Sequence, residues 1–222
     1  RKLAQKSDLI TYEFEHIGVE VLKELESEDY KIYPTARSLE TIQNKYHQKN
    51  ILKQDQIAVP DFKKVSSSDD IKEAAADFGY PLMLKSCTGG YDGKGNALIE
   101  NKAEVKKAFK ELGAGKYPLM VEKYVPFKKE ISIIAARGLN GEMKVYPAGE
   151  NDHKNNILYE TKVPADISAE IEKEAEEFAR EVLKVFAGIG IFCVEMFVTE
   201  ANELLVNEIA PRPHNSGHYT IE

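Results

Sequence analysis

The stretch GIFCVEMFVTEANELLVNEIAPRPHNSGHYT, Gly190–Thr220, holds two apolar runs, GIFCVEMFVT and ELLVNEI, on either side of Glu200 to Asn202. Runs of this length and composition around a polar break predict a β-hairpin. One acid stands near the middle of each run, Glu195 in VEMF and Glu208 in VNEI. Side chains alternate along a strand, so each Glu shares a face with residues two positions away. A carboxylate set among Val, Met, Phe and Ile is costly unless it is paired or metal-bound. Two of them on neighbouring strands make a hard-oxygen pair suited to Mg²⁺, which takes one or two carboxylates together with substrate phosphates. The competing reading is structural. One Glu pairs with Arg212 and the other turns to solvent, since pairing is the usual fate of a buried charge.

Immediately downstream, APRPHNSGH places Arg212, His214, Asn215, Ser216 and His218 within seven residues, stiffened by Pro211 and Pro213. This set suits a small planar anion, with Arg212 bidentate and Asn215 and Ser216 completing the donors. A solvated loop whose histidines satisfy only their own hydrogen bonds is the simpler alternative.

Upstream, KSCTGGYDGKGN (Lys85–Asn96) crowds Gly89, Gly90, Gly93 and Gly95 between Lys85 and Lys94. It lies between the strand-like PLMLK and ALIE, so it joins strand to strand. GxxxxGK[ST] is absent, and the glycines do not open a helix as phosphate loops of that kind require. Two readings remain. One is an ordinary turn at Asp92-Gly93. The other is a lid whose backbone N–H groups close on a triphosphate.

The rest of the chain reads as α+β with mixed sheets. Leu9-Ile10 reads as a strand end, and Gly18 to Ser27 as a charged helix. SLETIQNKYHQKNILK reads as one helix, with Leu39, Ile42, Tyr46, Ile51 and Leu52 near helical spacing. From Pro60 to Val125 strand and helix alternate. Ser67 with Asp70 starts a short helix that Gly79 ends, and Asn101 with Glu104 looks like a capping box for a second helix with Gly113 as its stop. PLMVEKYV, EISIIAAR and MKVYPAGE read as strands. Ser168 to Phe186 is an amphipathic helix with Ile171, Ala175, Phe178, Val182 and Phe186 inward. APRPHNSGHYTIE reads as loop.

Composition narrows the function. A net charge of −7 argues against a nucleic-acid partner held by a general basic field. No apolar run approaches the roughly 18 residues a membrane span needs, and no signal-peptide pattern is present. Cys87 and Cys193 lack CxxC spacing, which predicts a reducing, cytoplasmic setting with neither a disulfide framework nor a thiolate zinc site. The chain starts at Arg1 and stops abruptly at Glu222, and is expected to be a fragment of something longer.

A strand lysine, a glycine-rich lid, an E-K-Y-V strand and two late glutamates ending in NEIAPR resemble the ATP-grasp superfamily. TYEFEH, YPTARSLETIQNK, GGYDGKGN, GEN-D-H-KNNIL and NEIAPRPHNSGHYT together resemble its 5-(carboxyamino)imidazole ribonucleotide synthase branch, over essentially the whole chain. The resemblance implies ATP- and bicarbonate-dependent carboxylation of aminoimidazole ribonucleotide through carboxyphosphate, releasing ADP and phosphate, in purine biosynthesis. It implies ATP and Mg²⁺ as cofactors, a homodimer, and a fused or separate carboxylase acting next. It implies four segments: 1–33, the tail of an N-terminal Rossmann-like domain; 34–59, a connecting helix; 60–126, the lid subdomain; and 127–222, the core subdomain, truncated at its C-terminal end.

The same resemblance implies roles for individual residues. Lys45 and Lys85 reach the nucleotide phosphates, and Gly89, Gly90, Gly93 and Gly95 form the lid. Glu122, Lys123, Tyr124 and Val125 form the hinge whose backbone reads adenine, with Glu122 accepting from the exocyclic amine. Glu130 binds the ATP ribose, and Glu195 and Glu208 hold Mg²⁺. Arg212, His214, Asn215 and Ser216 form the bicarbonate or carboxyphosphate site, while Glu13, Tyr91 and Asp92 face the aminoimidazole nucleotide. Ala210, two residues past Glu208, stands where many relatives carry Asn, and Cys87 stands where related sequences often carry Arg. A formate-dependent glycinamide ribonucleotide transformylase, or a non-catalytic nucleotide-binding module of a larger fusion, are the alternatives.

Overall fold

The computed structural model describes residues 1–90, 95–113 and 116–221. Near the start, Ile10 and Ile32 meet in a single parallel bridge rather than a strand. Helix α1 (Val19–Ser27) turns Leu22 and Leu25 into a small apolar cluster with Tyr12, Ile32 and Leu39.

The single helix expected next is two helices, α2 (Ala36–Gln43) and α3 (Lys45–Gln54). Asn44 between them is extended, with φ −96° and ψ 102°, and its side chain accepts from the His47 N–H as the cap of α3. Capping by Asn satisfies a backbone donor that a continuous helix would have used within its own ladder. The periodicity ran through the break because α2 buries Leu39 and Ile42 while α3 buries Leu52.

Two antiparallel sheets follow. The first contains β1 (Phe62–Val65), β2 (Leu82–Ser86), β3 (Asn96–Ile99) and β4 (Leu119–Lys123), in the order β1-β4-β2-β3. Helices α4 (Ser68–Phe78) and α5 (Val105–Glu111) pack Ile71, Ala74, Val105 and Ala108 against Leu82, Leu84 and Val121 of this sheet. The Ser67–Asp70 capping box forms, and Gly79 ends α4 at φ 76°. The box expected at Asn101 and Glu104 does not cap its helix. Asn101 Oδ1 accepts from Ala103 N at 3.0 Å, and Glu104 reaches back to the Glu100 N–H at 2.9 Å. These bonds close a turn before α5, which begins at Val105.

Residues 124–126 cross to the second sheet. It contains β5 (Phe127–Arg137), β6 (Met143–Val145), β7 (Gly149–Lys154), β8 (Ile157–Lys162), β9 (Gly190–Thr199) and β10 (Leu204–Ala210). The order is β10-β9-β5-β7-β8, with β6 also paired to β5. Helix α6 (Ala169–Val185), capped by Ser168, covers one face and buries Ile171, Ala175, Val182 and Leu183 against Ile131, Ile133, Val194, Met196 and Val206. MKVYPAGE is not one strand: Tyr146, Pro147 and Ala148 separate β6 from β7. The β7–β8 hairpin went unread, although Asn155 and Asn156 at its turn both take positive φ, 53° and 61°. Asn tolerates that conformation better than most residues, which suits it to such turns. Among the described residues no helix is long and apolar enough to cross a membrane.

Candidate functional site

The hairpin expected at Glu200–Asn202 forms, and its register sets Glu208 directly opposite Glu195. Along β9 the alternation sends Val194, Met196 and Val198 to the α6 core and leaves Cys193 and Glu195 on the other face. In β10 the register shifts between Val206 and Glu208, with Asn207 as the extra residue. A bulge of this kind re-aims the side chains that follow it. Val206 and Ile209 thus remain in the core, while Asn207 and Glu208 both line the cleft. Ser132 of β5 extends the same row, paired in register with Glu195.

Each acid has a cationic partner, but not the one the structural alternative supposed. Glu208 bonds Lys45, the first residue of α3. Burial works against both charges, yet their attraction wins, so Glu208 is held below the usual carboxylate range and Lys45 above the usual lysine. Glu195 Oε1 lies 3.0 Å from His214 Nε2. Arg212 pairs with neither; its Nε donates to Glu15 Oε2 at 3.4 Å and its Nη1 to the Pro213 carbonyl at 3.0 Å.

The loop after β10 winds into a 3-10 turn, Asn215–Thr220. Ser216 is buried, so it does not stand among the anion donors. Its hydroxyl lies 2.9 Å from Ser132 Oγ and 2.9 Å from His214 Nδ1, and Cys193 Sγ is 3.6 Å away. Ser216 therefore orients the imidazole. Burial opposes a charge on His214, but Cys193 and the Glu195 carboxylate outweigh it and raise the imidazole well above its ordinary value.

The Glu122 side chain turns inward. Its side chain is 2% exposed and lies between two lysines, with Lys85 Nζ 2.8 Å from Oε2 and Lys49 Nζ 3.2 Å from Oε1. The carboxylate is committed inside the first sheet rather than offered to a base. Burial opposes its charge, and the two ammoniums hold it below the usual carboxylate range all the same. Lys85 also reaches Asn207 Oδ1 at 3.3 Å, which ties the first sheet to the second.

A cleft of about 1070 Å³ brings together Glu13, Lys45, Gly90, Glu130, Glu195, Glu208, Arg212, His214 and Asn215. A second hollow of about 290 Å³ shares Lys45, Gly90 and Glu208 and adds Gly89. Gly89 and Gly95 take positive φ, 78° and 87°, and a Cβ on Gly95 would sit 3.2 Å from the Gly90 Cα. Lys123 ends β4, and Tyr124 and Val125 follow it in the link between the sheets. None of these three borders the cleft. Tyr91, Asp92 and Gly93 lie outside the described residues.

Four further residues belong to this constellation. Asn207 escapes strand alternation because only a bulge turns two neighbours to one face. His153 Nδ1 lies 3.1 Å from Glu130 Oε2, and that bond raises the imidazole above its ordinary value. Glu15 holds Arg212. Lys49 stands one helical turn after Lys45, a spacing that could have singled it out.

Comparison with known proteins adds a third line. The family described as "ATP-grasp domain" matches residues 50–222. Phosphoribosylaminoimidazole carboxylase of Candida albicans is 45% identical over all of this chain and 39% of its own length. N5-carboxyaminoimidazole ribonucleotide synthase of Staphylococcus aureus is 42% identical, over all of this chain and 58% of its own. The structure of N5-carboxyaminoimidazole synthase from Aspergillus clavatus, in complex with ADP and 5-aminoimidazole ribonucleotide, superimposes with a TM-score of 0.91 at 35% identity, over 99% of this chain and 57% of that one. The chain thus spans between about two-fifths and three-fifths of the length of the relatives it matches.

Proposed function

The chain belongs to the ATP-grasp family, and from that premise we propose that it takes part in the ATP- and bicarbonate-dependent carboxylation of 5-aminoimidazole ribonucleotide. The observation that carries the reading is the convergence, on one cleft, of an opposed acid pair and an anion-binding loop. Glu195 and Glu208 face each other across β9 and β10, and Arg212, His214 and Asn215 stand beside them.

The donor set fits a hard divalent cation, because Glu195, Glu208 and Asn207 all offer oxygen on the same cleft wall. These residues would hold Mg²⁺, which neutralises phosphate charge when bound. Lys45, with Lys85 behind Asn207, would bring positive charge to a polyphosphate, and Gly89 and Gly90 leave room for it to approach the backbone closely. Glu130, held by His153, is placed to accept from ribose hydroxyls. The reading takes residues 123–125, which link the sheets beside the cleft without lining it, to meet the base through their backbone. Arg212 donates to the Glu15 carboxylate through Nε, and its planar guanidinium suits a planar bicarbonate. Glu13 lines the same cleft, and the aminoimidazole nucleotide would sit against it.

Carboxylation of this kind is mostly positioning and charge neutralisation. His214, locked between Glu195 and Ser216, presents a fixed imidazole edge beside the anion site. The same reading takes residues 1–33 as the end of a Rossmann-like domain. It takes the working enzyme as a cytoplasmic homodimer whose product passes to a carboxylase, fused or separate. ADP release from the longest native form tests it, with Mg-ATP and aminoimidazole ribonucleotide, and with bicarbonate present or stripped out. Release that needs both is the expected result. Release with formate in place of bicarbonate would point to a transformylase and overturn the reading.

A further inference from the structure

Helix α3 turns Lys45, Gln48 and Lys49 to one side, the i, i+3, i+4 spacing of a single helical face. Between them they reach two strands, β10 and β4. Lys45 bonds Glu208 of β10, and Gln48 Oε1 accepts from the Ile209 N–H at 3.2 Å. Lys49, 1% exposed, reaches Glu122 of β4. A chain of polar contacts then runs Lys49, Glu122, Lys85, Asn207, from the helix through the first sheet to the second. Lys49 Nζ and Glu122 Oε1 are both buried, and at 3.2 Å they form an ion pair without the alignment of a hydrogen bond.

Such a lysine is poor packing. Burying an ammonium is costly, and a well-packed apolar residue of similar volume is often neutral or better for stability. Its consequence falls on Lys85. Glu122 has two oxygens and two cationic neighbours, so neither lysine is fully neutralised. Without Lys49, both oxygens would close on Lys85 and draw its ammonium away from Asn207, which lines the cleft.

We propose that Lys49 is a positioning residue for Lys85: by occupying one oxygen of Glu122, it keeps the Lys85 ammonium available to a nucleotide phosphate. The inference rests on the nucleotide-binding reading above. It predicts a compensation that a structural role does not, because removing the Glu122 charge should undo the loss of Lys49.

Calorimetric titration of the 222-residue chain with Mg-ADP tests this, with melting temperature followed in parallel. Lys49→Met should bind about ten-fold more weakly, the weight of one charge-assisted contact of roughly 1.4 kcal/mol, with an undiminished melting temperature. Lys49→Met combined with Glu122→Gln should recover most of that loss. Lys49→Gln, one atom shorter but able to donate to the same Glu122 oxygen, should keep more of the affinity than Lys49→Met. Affinity in Lys49→Met equal to that of the unsubstituted chain would overturn the proposal. So would a double variant that binds no better than Lys49→Met. No binding by the unsubstituted chain would remove the nucleotide reading itself, and this inference with it.

Discussion

The two sheets bury acids in opposite ways. In the first, Glu122 is enclosed, with a lysine on each oxygen and 2% of its surface exposed. In the second, Glu208 keeps 32% of its side chain exposed and Glu195 18%, and each has one cationic partner at the cleft edge. A carboxylate surrounded by cations has no vacancy for a ligand. A carboxylate with one partner and one open side can exchange that partner for an incoming charge. The contrast assigns Glu122 to arranging lysines and the Glu195–Glu208 pair to binding. Substitution should therefore damage stability in the first sheet and chemistry in the second.

The largest expected effect is on turnover. Glu208→Gln removes a charge from the acid pair while keeping its volume, and should cut ADP formation by about 100- to 1,000-fold, the scale of losing a preorganised electrostatic contact. The melting temperature should fall little, since Lys45 at 12% exposure can recruit water. Steady-state ADP release checks this, and normal release would sink the metal assignment.

Glu122→Gln should invert that pattern. It leaves two ammoniums buried without a counter-charge, a loss on the order of 3–5 kcal/mol, readable by urea denaturation. Adding Lys49→Met should recover part of it. A Glu122→Gln chain as stable as its parent would erase the distinction between the sheets.

A smaller effect sharpens the same point by pH. Burial, resisted by Glu122, pushes Lys49 down to about 8 from its ordinary 10.5. Between those values the unfolded chain holds a proton that the folded one has released, so folding strengthens as pH rises through that window. Below about 8 both forms are charged and the penalty of burial is complete. Denaturation of the unsubstituted chain and of Lys49→Met at several pH values should show their difference in stability shifting toward the unsubstituted chain from pH 8 to 10.5. A constant difference would place Lys49 in a wetter setting than its enclosure implies.

What the sequence disclosed follows the same division. The β9–β10 hairpin and its opposed acids were legible because two apolar runs carried one acid each, and strand alternation did the rest. Asn207 was not, because a bulge breaks the two-residue period on which that inference depends. The partners of the Glu122 and Ser216 side chains were not legible for a related reason: a motif gives the residue, while the direction of its side chain depends on partners far away in sequence, Lys49 and Lys85 for one and Ser132 for the other. Helix α4 was legible to its caps because Ser67, Asp70 and Gly79 act locally. Lys49 carried a signal, one turn after Lys45, but its meaning required knowing that β4 lies beneath it.

Asn44 joins the two kinds of error and supports the smallest prediction. Periodicity alone merged α2 and α3, and only the Asn44 side chain, accepting from the His47 N–H at 3.1 Å, marks the break. Asn44→Ala removes that cap and favours helix at the same position, for a net stability loss of about 1 kcal/mol. Its effect on binding should exceed what so small a loss suggests. The break sets the axis of α3, and that axis aims Lys45 at Glu208 and Lys49 at Glu122 together. A helix continued through residue 44 would rotate both lysines away from their acids, uncoupling the sheets at once. Mg-ADP affinity falling several-fold in Asn44→Ala, with the melting temperature lowered by only a few degrees, would show that α3 serves both sheets as one strut. Affinity that merely tracked the stability loss would show instead that each lysine finds its acid independently of the helix that carries it.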